Sequence, residues 1–178
     1  MKALVISDID DFHWKHGTGQ ADIVLSCGDV SDAVIIEAAE AFRCDRIFAV
    51  KGNHDSSAPF GKSIIDLHLN IQEFDTLKFG GLNGSWKYKS RGYFLYDQAE
   101  VEYFLEEFPA VDIFVSHNSP RGIHDQDDEV HYGFDGLNSY ISRTAPRFLF
   151  HGHQHTQKET RLGRTQVIGV YGYKVVDL

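Results

Sequence analysis

The chain has 178 residues, a formal net charge of −9 at pH 7 and 42% hydrophobic residues, which fits one compact domain with a substantial core. The negative charge argues against a protein that grips nucleic acid or an anionic membrane through a broad basic surface. We therefore expect a single domain over residues 1–178, for which nucleic acid is not an expected partner except as a substrate.

The number of cysteines, the first residues and the lengths of the apolar runs all bear on the location of the protein. Two cysteines, Cys27 and Cys44, are too few for the disulfide framework of a small secreted protein. The first residues run straight into a strand-like pattern, without the basic region and apolar stretch of a signal peptide. No apolar run has the length of a membrane span. These features predict a cytoplasmic protein with no membrane partner, and they leave self-association open.

Strand-like and helical patterns alternate along the first part of the chain. Short runs rich in Val, Ile and Leu predict buried strands at residues 2–7, 23–27, 47–50, 111–116 and 147–150. Helical patterns predict helices at residues 33–42, capped by Ser31 or Asp32, from the cap Asp97 through Phe108, and at 135–143. Further strands are expected at 159–162, 166–170 and 173–176. This order predicts α and β layers stacked on two sheets.

Side chains that bind metals follow five of the predicted strands. They are Asp8 and Asp10, then Asp29, then Asn53, His54 and Asp55, then His117, and finally His153 and His155. Loops at the ends of parallel strands converge in space, so these residues can meet without being close in sequence. Oxygen and nitrogen donors without cysteine suit a pair of divalent ions such as Mn, Fe, Zn or Mg. Singly, each residue is more often a cap or turn former, and Gly52 or Gly152 a positive-φ position. Together they predict a metal site.

The order D-x-D, G-D, G-N-H-D, H and G-H-x-H resembles that of the calcineurin-like metallophosphoesterases, over Asp8 to His155. The resemblance implies an α/β fold, a four-layer α/β/β/α sandwich of two mixed sheets, in a small single-domain member. It also implies hydrolysis of a small phosphodiester or phosphomonoester, for example a nucleotide, by a hydroxide bridging two divalent metals.

The same resemblance implies a role for each site residue. Asp8, Asp10, Asp29 and His155 would hold the first metal, and Asp29, Asn53, His117 and His153 the second. Asp29 would then bridge the two ions. His54 would protonate the leaving oxygen, and Asp55 would hold the His54 ring in place.

The first motif departs from the family, which usually has D-x-H where this chain has Asp8-Ile9-Asp10. A second carboxylate at this position favours harder ions, and Mn²⁺ is the favoured ion. The later Asp11-Phe12-His13 also satisfies D-x-H, so His13 is a second candidate for the site or for the substrate. The Asp-Arg-Gly ending typical of protein serine/threonine phosphatases is missing after Asp29, which disfavours that branch.

Other features are open to two interpretations. Arg121 and His124 resemble part of a substrate-side loop in small family members, and the alternative is an ordinary turn. Residues 86–93 are basic and aromatic, and they form either an exposed hairpin or a surface that stacks a base and contacts a phosphate. The remaining histidines, His16, His68, His131 and His151, are predicted to be structural or exposed.

Two rival functions follow from the same resemblance. The fold also serves as a non-catalytic protein-interaction scaffold in a retromer subunit that has lost the catalytic histidine, and the presence of His54 disfavours that role here. A nuclease is the other alternative, and the acidity of the chain weighs against tight binding of a polynucleotide.

Overall fold

The computed structural model describes residues 1–10 and 17–178, so the candidates Asp11, His13 and His16 lie outside the described residues. The helices of the described part are α1 (Asp32–Ala41), α2 (Gln98–Glu106) and α3 (Asp135–Thr144). Its strands are β1 (Lys2–Ser7), β2 (Ile23–Ser26), β3 (Ile47–Ala49), β4 (Ile65–Asp66), β5 (Ile71–Phe74), β6 (Leu77–Leu82), β7 (Ser85–Trp86), β8 (Leu95–Tyr96), β9 (Ile113–Ser116), β10 (Phe148–His151), β11 (Lys158–Leu162), β12 (Thr165–Gly169) and β13 (Gly172–Asp177).

The strands form two large mixed sheets. The first has five strands in the order β13-β1-β2-β3-β4, with β1 to β4 parallel and β13 antiparallel at the edge. The second has six strands in the order β11-β12-β10-β9-β6-β5, with a parallel centre and antiparallel strands at both edges. Parallel centres leave the carboxyl ends of several strands at one edge of each sheet, where a site can form.

Three apolar clusters fill the spaces between four layers. In β1, Leu4 and Ile6 pack under α1, whereas Ala3 and Val5 face the second sheet, because successive side chains point to opposite faces. A third cluster joins α2 and α3 to the outer face of the six-stranded sheet through residues such as Phe114. The predicted four-layer α/β/β/α sandwich of two mixed sheets is thereby confirmed.

The predicted helices are present with shifted ends. Ser31, rather than Asp32, caps α1, and its hydroxyl accepts from the Val34 N–H at 3.4 Å. In α2, Asp97 and Glu100 form a complete capping box in which each side chain accepts from the other's backbone N–H. The helix ends at Glu106 rather than Phe108. None of the helices in the described part of the chain has the length and apolar character needed to span a bilayer.

The basic, aromatic residues 86–93 do not form a hairpin. β7 and β8 pair in parallel, with Ser85 opposite Leu95 and Trp86 opposite Tyr96. Parallel strands cannot be joined by a tight two-residue turn, so the chain between them forms a wider loop. We call residues 87–94 the basic loop.

Candidate metal centre

The ends of β1, β2 and β9 bring three predicted ligands together. Ligand atoms of Asp8, Asp29 and His117 lie within 4.8 Å of one another, a grouping that could hold a metal ion. The buried His117 Nε2 lies 3.4 Å from Asp29 Oδ2 and 3.1 Å from the amide oxygen of Asn53, which follows β3. His117 Nδ1 contacts the Cys27 carbonyl oxygen at 2.8 Å, which leaves Nε2 as the nitrogen facing the other ligands.

The two carboxylate oxygens of Asp8 differ in their contacts: one accepts hydrogen bonds, and the other has an ion-pair contact with His155. Its Oδ2 accepts from Ser7 Oγ at 2.7 Å and from the His153 N–H at 2.9 Å. Its Oδ1 is buried, has no hydrogen-bond partner in the described part of the chain and lies 3.4 Å from His155 Nε2. A buried polar atom without a partner costs free energy, so an orphaned carboxylate oxygen beside an imidazole nitrogen fits a bound divalent cation.

The backbone at four predicted ligands is in the left-handed region. The φ angles are 55° at Asp8, 54° at Asp29, 62° at His153 and 49° at His155. Residues other than glycine seldom adopt this backbone conformation. Each such residue costs about 1–3 kcal/mol when its surroundings enforce it. Such strain is concentrated at functional sites in proteins.

Three glycines permit the close approach of these segments. A Cβ on Gly52 would overlap the Asp29 carboxylate, and one on Gly152 would overlap Ser7 Oγ and lie 2.6 Å from Asp8 Oδ2. A Cβ on Gly28, where φ is +94°, would lie 2.8 Å from His117 Nδ1. The alternative interpretation of Gly52 and Gly152 as positive-φ positions is wrong, because neither has a positive φ. They leave room for ligand side chains instead.

Asp29 and His117 stabilise each other's charged forms. Burial by itself would raise the pKa of Asp29, but the charge and hydrogen bond of His117 and the His54 N–H lower it to about 2. Burial would lower the pKa of His117, but Asp29 and then Asp8 raise it to about 9. A cation bound between these groups would replace the proton on His117.

The other two histidines differ from each other in their surroundings. Burial and the neighbouring charge of His117 lower the pKa of His153 to about 3, so its ring is neutral and able to bind a metal at neutral pH. His155 is more exposed, and its contact with Asp8 raises its pKa. Burial by itself would raise the pKa of Asp8, but His155 and the charge of His117 lower it.

His54 and Asp55 belong to the turn after β3. The His54 N–H donates to Asp29 Oδ1 at 2.8 Å, and its side chain is exposed in the adjoining cleft. Asp55 Oδ2 accepts from the N–H groups of Gly52 at 2.7 Å and Asp29 at 2.9 Å. The predicted contact of Asp55 with the His54 ring is not among its hydrogen bonds in the described part of the chain. Asp55 joins the turn to the Asp29 backbone, and so positions His54 indirectly.

A cleft of about 550 Å³ opens beside the cluster. Asp8, Asp29, His54 and His155 line it, and the exposed Asp10 lies in the same lining. Asp10 therefore reaches the cleft but is outside the three-residue grouping of ligand atoms. The Tyr171 ring lies 5.1 Å from the His155 ring and adds an aromatic wall.

The two described candidates for substrate contact have partners within the protein. Arg121 Nη1 donates to Asp125 Oδ2 at 2.8 Å, and its guanidinium lies 3.3 Å from the centre of the Tyr132 ring. His124 uses both ring nitrogens, one 2.9 Å from Thr160 Oγ1 and the other 2.9 Å from His151 Nε2. His151 in turn contacts the Gly152 carbonyl oxygen at 3.0 Å. This chain of contacts supports the turn that carries His153.

Sequence reasoning did not assign three residues that lie at the cluster. The Tyr88 hydroxyl is 3.3 Å from Asn53 Nδ2, and the His131 ring lies 5.2 Å from the His153 ring. Buried Gln154 donates to Ser119 Oγ at 3.1 Å and to the His131 carbonyl oxygen at 3.0 Å. The x position of G-H-x-H offered the signal for Gln154, and Tyr88 lies in the basic, aromatic residues 86–93, for which contact with a base and a phosphate was one of two interpretations. Nothing in the sequence separated His131 from an ordinary loop residue.

Comparison with known proteins agrees with this architecture. Residues 1–170 match the family model described as Calcineurin-like phosphoesterase superfamily domain. No curated protein sequence matches the chain significantly.

Solved structures share the fold at low sequence identity. TT1561 of Thermus thermophilus is 14% identical, with 96% of this chain and 89% of that chain covered and a TM-score of 0.62. Phosphopantetheinyl hydrolase (PptH) from Mycobacterium tuberculosis is 12% identical, with the same coverage and a TM-score of 0.61. Wild-type Vps29 complexed with Zn²⁺ from Entamoeba histolytica is 13% identical, with 97% and 74% covered and a TM-score of 0.51. Identities this low show the fold alone. Because residues 1–170 match this family model, the chain belongs to the calcineurin-like phosphoesterase superfamily.

Proposed function

We propose that this protein hydrolyses small phosphate esters with two divalent metal ions bound at the strand ends. Asp8, Asp10, Asp29 and His155 hold the first ion. Asp29, Asn53, His117 and His153 hold the second. When bound, the ions supply Lewis-acid activation of water and neutralise charge on the phosphoryl oxygens.

One observation carries this proposal. Buried Asp8 Oδ1 has no hydrogen-bond partner among the described residues, and the ligand atoms of Asp8, Asp29 and His117 lie within 4.8 Å of one another beside an open cleft. A structural cluster of this kind would satisfy its own polar atoms. The strained backbone at four ligands further supports a functional rather than a structural role.

His54 is the proton donor to the leaving oxygen in this proposal. Its ring is exposed in the cleft, while its N–H is tied to Asp29 Oδ1 at 2.8 Å. The hydrogen bond holds the His54 backbone next to Asp29, the proposed ligand of both ions. Asp55 supports the same turn through the Gly52 and Asp29 N–H groups.

We propose Mn²⁺ as the preferred ion. Asp10 contributes a carboxylate where the family usually has histidine, and it lies in the cleft lining next to Asp8. Replacing a nitrogen donor by an anionic oxygen shifts preference towards harder ions, of which Mn²⁺ and Mg²⁺ are the common ones.

The non-catalytic scaffold has one observation in its favour. Vps29 from Entamoeba histolytica shares the fold, at a TM-score of 0.51. A scaffold needs neither an exposed His54 in the cleft nor, among the described residues, a buried Asp8 oxygen without a hydrogen bond, so the hydrolase explains more of the site. A nuclease remains the third candidate, distinguished by cleavage of a polynucleotide rather than of short esters.

The test uses metal-stripped protein supplied separately with Mn²⁺, Mg²⁺, Zn²⁺ or Fe²⁺. Bound metal is counted by elemental analysis, and hydrolysis of a generic phosphomonoester, a phosphodiester and a single-stranded oligonucleotide is measured. We expect two ions per chain, turnover of a small ester, and loss of the second ion in Asn53→Ala. Metal binding without turnover of any ester would leave the scaffold as the better explanation.

A further inference from the structure

We infer that the basic loop, residues 87–94, forms a second subsite that binds an additional anionic group of the substrate. This inference rests on the proposed function and narrows its substrate class to phosphate esters whose organic part carries a further phosphate.

The charge of this segment differs from that of the rest of the chain. From Thr76 to Tyr96 there is no Asp or Glu, although the protein has a formal net charge of −9. Lys87, Lys89 and Arg91 are all exposed, and none of them forms an ion pair with a described residue. Unpaired cations on one loop of an acidic protein create a local positive potential that attracts anions.

The loop lies directly against the predicted metal site. Tyr88 accepts a hydrogen bond from Asn53 Nδ2 at 3.3 Å, and the Asn53 amide oxygen lies 3.1 Å from His117 Nε2. The Lys89 ammonium is 4.9 Å from the centre of the Tyr88 ring. The Tyr88 side chain therefore joins a predicted metal ligand on one side to a cation on the other.

The ends of the loop are held in place. β7 and β8 pair on either side of it, and the Lys87 N–H donates to the Tyr96 carbonyl oxygen at 3.0 Å. The Trp86 ring packs 5.4 Å from the Tyr132 ring, in a segment that also carries His131 beside His153. Anchored ends reduce the entropy lost when the loop binds a ligand.

The cleft on the His54 side is less suited to a second anion. Its lining includes the carboxylate of Asp32, which is not a proposed metal ligand, as well as Lys51, whose ammonium lies 4.0 Å from the centre of the Phe60 ring. The negative charge of Asp32 repels a further phosphate, whereas the basic loop has cations and no carboxylate. A substrate with its reacting phosphate at the metals would therefore direct its second phosphate towards Tyr88 and Lys89.

The test compares two chromogenic esters that differ only in the additional group. One is thymidine 5′-(4-nitrophenyl phosphate), and the other is the same compound phosphorylated at its 3′ oxygen. We expect the Mn²⁺-loaded protein to give the higher kcat/KM with the 3′-phosphorylated ester. In Lys89→Gln the ratio of the two values should fall about threefold, and in the Lys87→Gln/Lys89→Gln/Arg91→Gln variant about tenfold, as expected for exposed ion pairs.

A matched control and a binding measurement complete the test. Lys78→Gln removes an exposed lysine from the same acid-free stretch, and this lysine instead pairs with Glu73 at 3.7 Å. It should leave the ratio unchanged. Calorimetry should show tighter binding of thymidine 3′,5′-bisphosphate than of thymidine 5′-monophosphate, with a difference that shrinks at high salt.

The outcomes separate this inference from the proposed function. If the protein hydrolyses both esters equally and the triple variant keeps that ratio, the subsite is disproved while the hydrolase stands. If neither ester is hydrolysed but the bisphosphate still binds more tightly in a manner that depends on Lys89, the subsite stands and the catalytic proposal fails.

Discussion

The two sheets contribute different kinds of ligand atoms to the predicted metal site. Asp8, Asp29 and Asn53 follow strands of the five-stranded sheet, and each offers a side-chain oxygen. The histidines His117, His153 and His155 follow strands of the six-stranded sheet and offer ring nitrogens. Neither sheet has both kinds of donor among these ligands. A complete metal site therefore depends on the packing of one sheet against the other.

The contacts between these two sets show how the sheets are joined at this edge. Asp8 Oδ2 from one sheet accepts from the His153 N–H of the other, and Asp29 lies beside His117. Gly152 lies at the point where the turns meet, and a side chain at this position would overlap Ser7. Metal affinity should therefore depend on how the two sheets pack at this junction. Substitutions on either side of it should change both the metal affinity and the stability of the packing.

Removal of the proposed bridging ligand should have the largest effect. In Asp29→Ala we expect loss of both ions and a fall in turnover of more than about a hundredfold, because changes even to residues behind metal ligands cost about 10–100-fold. Elemental analysis and kcat measurements test this. Asp32→Asn, in the same cleft but outside the predicted ligands, is the control. Retention of both ions in Asp29→Ala would exclude the bridging role.

The second largest effect is expected on kcat, and it compares His54, which follows the five-stranded sheet, with His131, which lies beside His153. His54→Ala should reduce kcat by about a hundredfold, the usual contribution of a proton donor, without loss of metal. His131→Ala is the matched variant on the other side, since His131 lies beside His153 and is held by Asp128 at 2.8 Å. We expect a smaller loss of kcat there. An equal loss of kcat in the two variants would show that His54 is not the single proton donor.

Disturbing the junction itself should have an intermediate effect. In Gly152→Ala the new methyl group would overlap Ser7 Oγ and crowd Asp8 Oδ2, so the two sheets must separate slightly. We expect about 1–3 kcal/mol of destabilisation from the overpacking, together with weaker metal binding. Urea unfolding and metal titration measure the two quantities. Gly61→Ala, where the nearest atom is a side-chain oxygen of Asp32, should change neither.

The pH dependence of stability should reveal the Asp29–His117 contact between the sheets. His117 has a folded pKa of about 9, above its ordinary value of 6.5, so the folded state holds this proton more tightly than the unfolded state does. Its stabilisation is complete below pH 6.5 and is lost as the pH rises to about 9. The raised pKa of His155 acts in the same direction. Urea unfolding with a chelator present should show this decrease, and His117→Gln should reduce it.

The smallest effect is expected far from the junction, in the helical layer over the six-stranded sheet. Asp97→Ala removes the cap of α2 and its hydrogen bond from the Glu100 N–H. We expect a loss of about 1 kcal/mol in unfolding free energy. Metal content and turnover should stay unchanged. A change in metal content would show that the outer helices also control how the sheets meet.

Much of the fold was readable from local patterns along the chain. Short apolar runs such as Lys2–Ser7 alternate towards two different clusters, and the cap signals at Ser31 and Asp97 are effective in the structure. The order of ligand types after successive strands also led to the correct family. These features depend on neighbours within a few residues, which is why they can be recognised without knowing the fold.

The contacts between distant segments required the folded chain. The contact of the buried Asp8 oxygen with His155, the role of Asp55 in holding backbone N–H groups, and the position of Tyr88 beside Asn53 join residues from separate strands and loops. The parallel pairing of β7 with β8 likewise replaced the expected hairpin. The local sequence determines which type of donor atom each residue offers. The distances between these atoms, their burial and the sharing of protons between them arise when the two sheets pack together.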